Sequence, residues 1–164
     1  MLVRGSARKG RIMSDSERNP ALFSTCFVGE TPMAKTTFNP DGLPVPRGSY
    51  SLVNVAQPGR MVFIAGQTAS DHDGKVVGLG DAKAQTRFIL GKIQRAVEAA
   101  GGTINDVVAL NVFTTDVRNH RDINETRREV LGSNFPTSTM VQVVALARPE
   151  LLLEINAIAV IPIP

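Results

Sequence analysis

Hydrophobic and polar positions along the chain switch between two periods, near two for strands and near 3.6 for helices. Tyr50-Ser51-Leu52-Val53-Asn54-Val55-Ala56 alternates loosely and reads as a strand. Gln57-Pro58-Gly59-Arg60 is a turn, and Met61-Val62-Phe63-Ile64-Ala65 is a continuous apolar run, which predicts a strand buried on both faces. The run ends at Gly66-Gln67 and gives way to a polar loop with a tight-turn signal at Asp73-Gly74. Asp81 is placed to cap a helix running from Ala82 to about Ala100. Ile89, Leu90, Ile93, Ala96, Val97 and Ala100 form its apolar stripe, with Lys83, Arg87, Gln94, Arg95 and Glu98 on the other side. Gly101-Gly102 stops it. Val107 to Thr115 reads as a third strand, and Asn119 or Asp122 opens a second helix that runs through Leu131 and stops at Gly132.

Two further β-rich runs follow, Phe135 to Leu146 and Leu153 to Ile161, separated by a short loop with Arg148 and Pro149. They read as a hairpin of two long, mostly buried strands. One sheet carrying two helices on one face satisfies this order, an α+β layer sandwich. Strands as apolar as Met61 to Ala65 would leave a large patch on the uncovered face, so self-association into a homo-oligomer is expected. Residues 1–35 lack a sustained period and are expected to be a poorly ordered extension, with residues 36–164 as the domain. Met33 begins the domain-like stretch, which makes a start codon downstream of Met1 an expectation to check by mass spectrometry of the native N-terminus.

Charge narrows the function classes. The net charge of +3 is uneven: residues 1–33 hold five basic and three acidic groups, leaving thirteen and twelve over the rest. A nearly neutral body, no Trp and one Tyr remove the cations and stacking surfaces that nucleic-acid binding needs. No apolar run approaches the roughly 20 residues of a spanning helix, so no membrane partner is expected. The single Cys26 forms no internal disulfide, which fits a reducing, cytoplasmic setting.

Few residues carry evident chemistry. His72 and His120 lie in polar contexts without metal spacing, and Cys26 has no visible base. Glu154 is a carboxylate inside an apolar strand, flanked by Leu153 and Ile155 and on the same face as Asn156. Charged groups are rarely buried without compensation, so Glu154 marks a sheet edge or a site. At a site it would hold a water and exchange protons with it. Gly66-Gln67-Thr68 at a strand end offers backbone N–H groups or is a simple turn.

From about Gly42 onward the chain resembles the Rid family (RidA/YjgF). The resemblance rests on Gly48-Ser49-Tyr50-Ser51, Phe63-Ile64-Ala65-Gly66-Gln67, Ala84-Gln85-Thr86-Arg87, Val97-Glu98-Ala99-Ala100-Gly101 and Val112-Phe113-Thr114-Thr115-Asp116. Asn124-Glu125, Phe135-Pro136 and Glu154-Ile155-Asn156-Ala157-Ile158-Ala159-Val160 extend it in the family's order and spacing. It implies a chorismate-mutase-like α+β fold, assembled as a homotrimer around a central β-barrel with helices outside. It also implies ligand sites in clefts between subunits and hydrolysis of small enamines or imines, such as 2-aminoacrylate and 2-iminopropanoate, to 2-keto acids and ammonia. No metal or organic cofactor is implied.

Carried over residue by residue, Glu154 matches the family's water-holding Glu, and Tyr50 and Gly66 match pocket positions. In the deaminases an Arg after the Phe-Pro-x motif clamps the substrate carboxylate. Here Phe135-Pro136-Thr137 is followed by Ser138, and Asn156 stands where the strand motif has a second Glu. A hydroxyl does not replace a guanidinium fork. Arg118, Arg121, Arg127 and Arg128 are candidate substitutes, and Arg128, Ser138 and Met140 join Tyr50 and Gly66 as expected substrate-binding residues. Two function classes follow: a Rid-type hydrolase with Glu154 as the catalytic residue, or a non-catalytic trimer binding a metabolite or partner protein in the same clefts.

Overall fold

The computed structural model describes residues 35–163. Among these, β1 (Lys35–Phe38) and β2 (Val53–Ala56) pair antiparallel as a small sheet. The main sheet holds β3 (Gly59–Thr68), β4 (Val107–Thr114), β5 (Thr137–Gln142) and β6 (Leu153–Pro162), in the spatial order β3-β6-β4-β5. Helices α1 (Ala82–Ala99) and α2 (His120–Leu131) complete the α+β layers. Neither is long and apolar enough to cross a membrane. The expected N-terminal extension lies outside the described residues except for Lys35, which opens β1; no strand is predicted there from sequence.

The helix signals act as read. The Asp81 side chain accepts from Ala84 N at 3.0 Å, and Gly101, at φ 87°, takes the left-handed turn that ends α1. Ile89, Leu90, Ile93 and Val97 are fully buried against Ile64 of β3, Leu110 and Val112 of β4, and Leu153, Ile155 and Ala157 of β6. Each contributes about 1.5–3 kcal/mol by leaving water. α2 adds Ile123 and Leu131 to the same core.

The hairpin expectation is corrected. β5 and β6 do not pair; β4 lies between them, parallel to β5 and antiparallel to β6. The chain passes over the end of β4 instead. Val143 N bonds Thr114 O on one side, and Thr115 N bonds Leu152 O on the other. The crossing is anchored by a buried polar residue of α1: Gln85 Nε2 donates to Gly78 O and Glu150 O, and its Oε1 accepts from Leu152 N. Apolar alternation specifies that a strand is buried but not beside which partner.

β3 is also corrected: among the described residues it is covered on one face only. Ile64 is 8% exposed, while Met61 and Phe63 are 60% and 71% exposed. With exposed Val141 of β5 they form the apolar patch on the side away from the helices.

Candidate functional site

Two groups of residues stand out, one on each face of the main sheet. The first is on the helix side. Ser51 N donates to Pro136 O at 3.1 Å and ties the Tyr50 segment to the start of β5. Ser138 and Met140 pair with Leu110 and Val112 of β4, whose side chains are buried in the core, so they face α2. α2 presents His120, Asn124 and Arg127 at i, i+4 and i+7 toward them. Tyr50, His120, Asn124, Arg127, Ser138 and Met140 line a half-enclosed cavity of about 170 Å³. A neighbouring hollow of about 230 Å³ shares Tyr50 and Ser138.

The polar groups of this cavity are unevenly used. Asn124 Oδ1 accepts from Ser49 N at 3.2 Å, and Ser49 Oγ donates to Asn124 O at 2.7 Å. Asn124 Nδ2 donates to His120 O at 3.0 Å and meets His120 Nε2 at 2.8 Å, which makes that nitrogen the acceptor. Arg127 is 1% exposed, and its Nη2 donates to Ser49 O at 2.8 Å. Its Nε and the Ser138 Oγ are buried without a partner. Among the described residues no carboxylate pairs with Arg127, and burial lowers its pKa to about 10.

The other arginines are placed differently. Arg118 pairs with Asp116 at 2.6 Å and Arg121 with Glu125 at 2.8 Å on the surface. Arg128, expected to bind substrate, is exposed and is not among the residues lining this cavity; its neighbour Arg127 is. A helical signal points to Arg127: Ile123, Arg127 and Leu131 are spaced at i, i+4 and i+8, and all three are buried. Asn124 and His120, also absent from the expected set, face the cavity from the same helix.

The second group surrounds Glu154 on the opposite face. Glu154 pairs with Phe113 of β4 and Thr68 of β3, whereas Ser138 pairs with Leu110; positions 110 and 113 point to opposite sides of β4. The β3–β6 register slips between Ile64 and Gln67, and Gly66 sits in that bulge. A Cβ built on Gly66 would lie 1.8 Å from Glu154 Oε1, so the carboxylate rests directly over the glycine main chain. Asn156, two residues along, accepts from Asn111 Nδ2 at 3.0 Å. The structure thus joins Tyr50, Ser138 and Met140 in one place and Gly66 with Glu154 in another.

Asp71, His72 and Asp73 put ligand-type atoms within 4.8 Å of one another, but Asp71 Oδ1 already caps the Asp73 and Lys75 amides of a tight turn.

A profile described as endoribonuclease L-PSP matches residues 42–161. The Rid-family protein YyfB from Yersinia pestis, itself of unknown function, shares 32% identity over 79% of this chain and 100% of its own, with a TM-score of 0.72. RidA from an Antarctic Psychrobacter shares 33% identity over 77% of this chain and 99% of its own, with a TM-score of 0.59. With this match in sequence and fold, the chain belongs to the Rid (YjgF/RidA) family.

Proposed function

We propose that this protein hydrolyses small reactive enamines or imines to carbonyl compounds and ammonia, in clefts formed where copies of the chain meet. The supporting observation is the Glu154 carboxylate lying over Gly66 on a sheet face that the described residues leave uncovered. Such a carboxyl group can hold a water against its oxygens and pass protons in both directions. In the proposed sequence the Glu154 carboxyl group gives its proton to the terminal carbon of an enamine, leaving an iminium and a carboxylate. Water then adds to the C=N carbon and gives a proton to the carboxylate. The resulting carbinolamine takes that proton back from the carboxyl group onto nitrogen, the C–N bond breaks and ammonia leaves, and the hydroxyl gives its proton to the carboxylate as C=O forms. One water is consumed and the carboxyl group returns to its starting state.

The half-sites on opposite faces of one chain favour assembly, since a neighbour brings a second face to the first. We assign that assembly to a homotrimer with the Met61, Phe63 and Val141 face inward, as the family resemblance implies. The test is pyruvate release from 2-aminoacrylate, followed with lactate dehydrogenase. Wild type should run above background and Glu154→Gln should fall to it; equal rates in the two would sink the reading. Ser138 in the position of the strand arginine favours one second reading, a binding trimer without turnover. That reading predicts a ligand-induced rise in Tm and no product.

A further inference from the structure

We infer that two polar residues of α1, Gln85 and Lys92, are positioning residues for Glu154: they act through the strand ends that carry it and set where its carboxylate stands. The catalytic side of this role rests on the hydrolase reading above, which places Glu154 at the reacting centre. The need for such a device follows from where Glu154 lies. Leu153 opens β6, and Thr68 closes β3. The Thr68–Glu154 pair is the last rung between these strands, beyond the register slip that holds Gly66, and on the β4 side only the Thr114–Leu153 rung lies further out. Strand ends open more readily than sheet centres. Such an end is a poor mount for a group that has to stay within about 1 Å of its working position.

Both strand ends are gripped from α1. Gln85 is fully buried. Its Oε1 accepts from Leu152 N at 2.9 Å, and its Nε2 donates to Glu150 O at 2.9 Å and to Gly78 O at 3.0 Å. These partners fix the orientation of the amide. Turned over, it would set its NH2 group against an N–H and its oxygen against two carbonyls. Leu152 is also held from the β4 side: its carbonyl accepts from Thr115 N at 3.0 Å, with the buried Thr114 hydroxyl 3.0 Å away. Lys92 follows Gln85 by two helical turns and so lies on the same side of α1. Its Nζ donates to Thr68 O at 3.2 Å and to Ser70 O at 3.3 Å, which ties down the end of β3 beside Glu154.

Gln85 thus acts along β6, and Lys92 acts across the last rung. Leu152 and Glu154 are two residues apart, about 3.3 Å per residue, so a tilt of about 10° at Leu152 displaces the Glu154 backbone by about 1 Å. A displacement of that size costs on the order of 100-fold in rate.

The test uses the full chain with Gln85→Met, which keeps the bulk and removes the hydrogen bonds, and with Lys92→Met. Deuterium uptake followed by mass spectrometry reads the strand ends directly. Gln85→Met should exchange at least about tenfold faster over residues 150–155 with residues 157–162 unchanged, and Lys92→Met should do the same over residues 67–71. Turnover of 2-aminoacrylate, counted per folded molecule well below Tm, should fall about 10- to 100-fold in kcat in Gln85→Met and about tenfold in Lys92→Met, with KM within about twofold. Gln85→Glu adds a pH readout. Its ionised form faces two carbonyls and its protonated form satisfies one of them, so its kcat relative to wild type should rise as pH falls from about 8 to about 5. Should Gln85→Met fail to fold, Lys92→Met, whose contacts are part-buried, carries both measurements. Uptake raised evenly along β6, or an unchanged kcat per folded molecule where wild type turns over, would overturn the inference and leave these residues as supports of the fold. Failure of the two readings is distinguishable. If the hydrolase reading alone fails, wild type shows no turnover while the local exchange changes remain. If the positioning role alone fails, wild type turns over and the folded variants match it.

Discussion

Replacing Gly66 with alanine isolates the role of the Glu154 carboxylate. The added Cβ would stand 1.8 Å from Oε1, 2.7 Å from Cδ and 3.1 Å from Cγ of Glu154. Ordinary contact begins at 3.4 Å, so Oε1 must retreat by 1.6 Å, the difference between 3.4 and 1.8. The carboxylate is the far end of a flexible side chain, so the fold can absorb this. An off-rotamer Glu costs about 0.5–1.5 kcal/mol. Gly66 is not among the glycines at positive φ, so alanine fits its backbone and recovers about 0.4–1 kcal/mol through the unfolded chain. Net stability should change by less than about 1 kcal/mol. Catalysis should not be spared, because a misplacement of about 1 Å costs on the order of 100-fold in rate. The assay pairs the coupled pyruvate measurement with a thermal melt. We expect a loss of about 100-fold or more with Tm within about 4 °C of wild type. Turnover within about threefold of wild type in a folded Gly66→Ala protein would refute the placement of Glu154 at the reacting centre.

Three further outcomes are expected. Lys35 is buried, donates to Val107 O at 2.6 Å, and has its pKa lowered by burial from 10.5 to about 8. Between those values the unfolded chain binds the extra proton, so stability should rise with pH from about 8 to 10.5, by on the order of 3 kcal/mol. Urea titrations should find that rise missing in Lys35→Met, and equal slopes in both proteins would reject the assignment. Phe63→Asp puts a charge on the uncovered face and should convert the expected trimer to monomers by light scattering; an unchanged mass would exclude that face as the interface. Asp81→Ala removes the acceptor for Ala84 N and should cost about 1 kcal/mol, seen as a Tm lower by about 2–4 °C.

Local rules made much of this fold legible. The caps of α1, the Gly132 stop of α2, and the apolar cores of β4 and β6 follow from residue type and spacing. Partner choice does not. Leu153 to Ile161 carries the same alternation whether its neighbour is β5 or β4, and the decision lies in loop geometry fixed by Gln85, a residue whose polarity suggests a surface position. Of the site, Glu154 stood out because a lone charge in an apolar strand is costly. Arg127 and Arg128 look alike in a list of charges, and only helical phase separates the buried one from the exposed one. The unused Nε and Oγ valences are properties of three-dimensional surroundings, and no sequence pattern encodes them.

The position of β6 bears on how the protein comes into being. It is the last element of the main sheet to be synthesised, yet it lies inside that sheet, between β3 and β4. Until it emerges, β3 has no partner in the main sheet, and β4 can pair only with β5. Two half-built edges with apolar faces therefore wait on the nascent chain, the kind of surface that invites wrong partners and chaperone binding. Closure joins residues about 40 to 100 positions apart in one step, which makes it slow relative to the helices. A truncation that removes β6 should yield two disconnected fragments of sheet rather than a smaller stable domain.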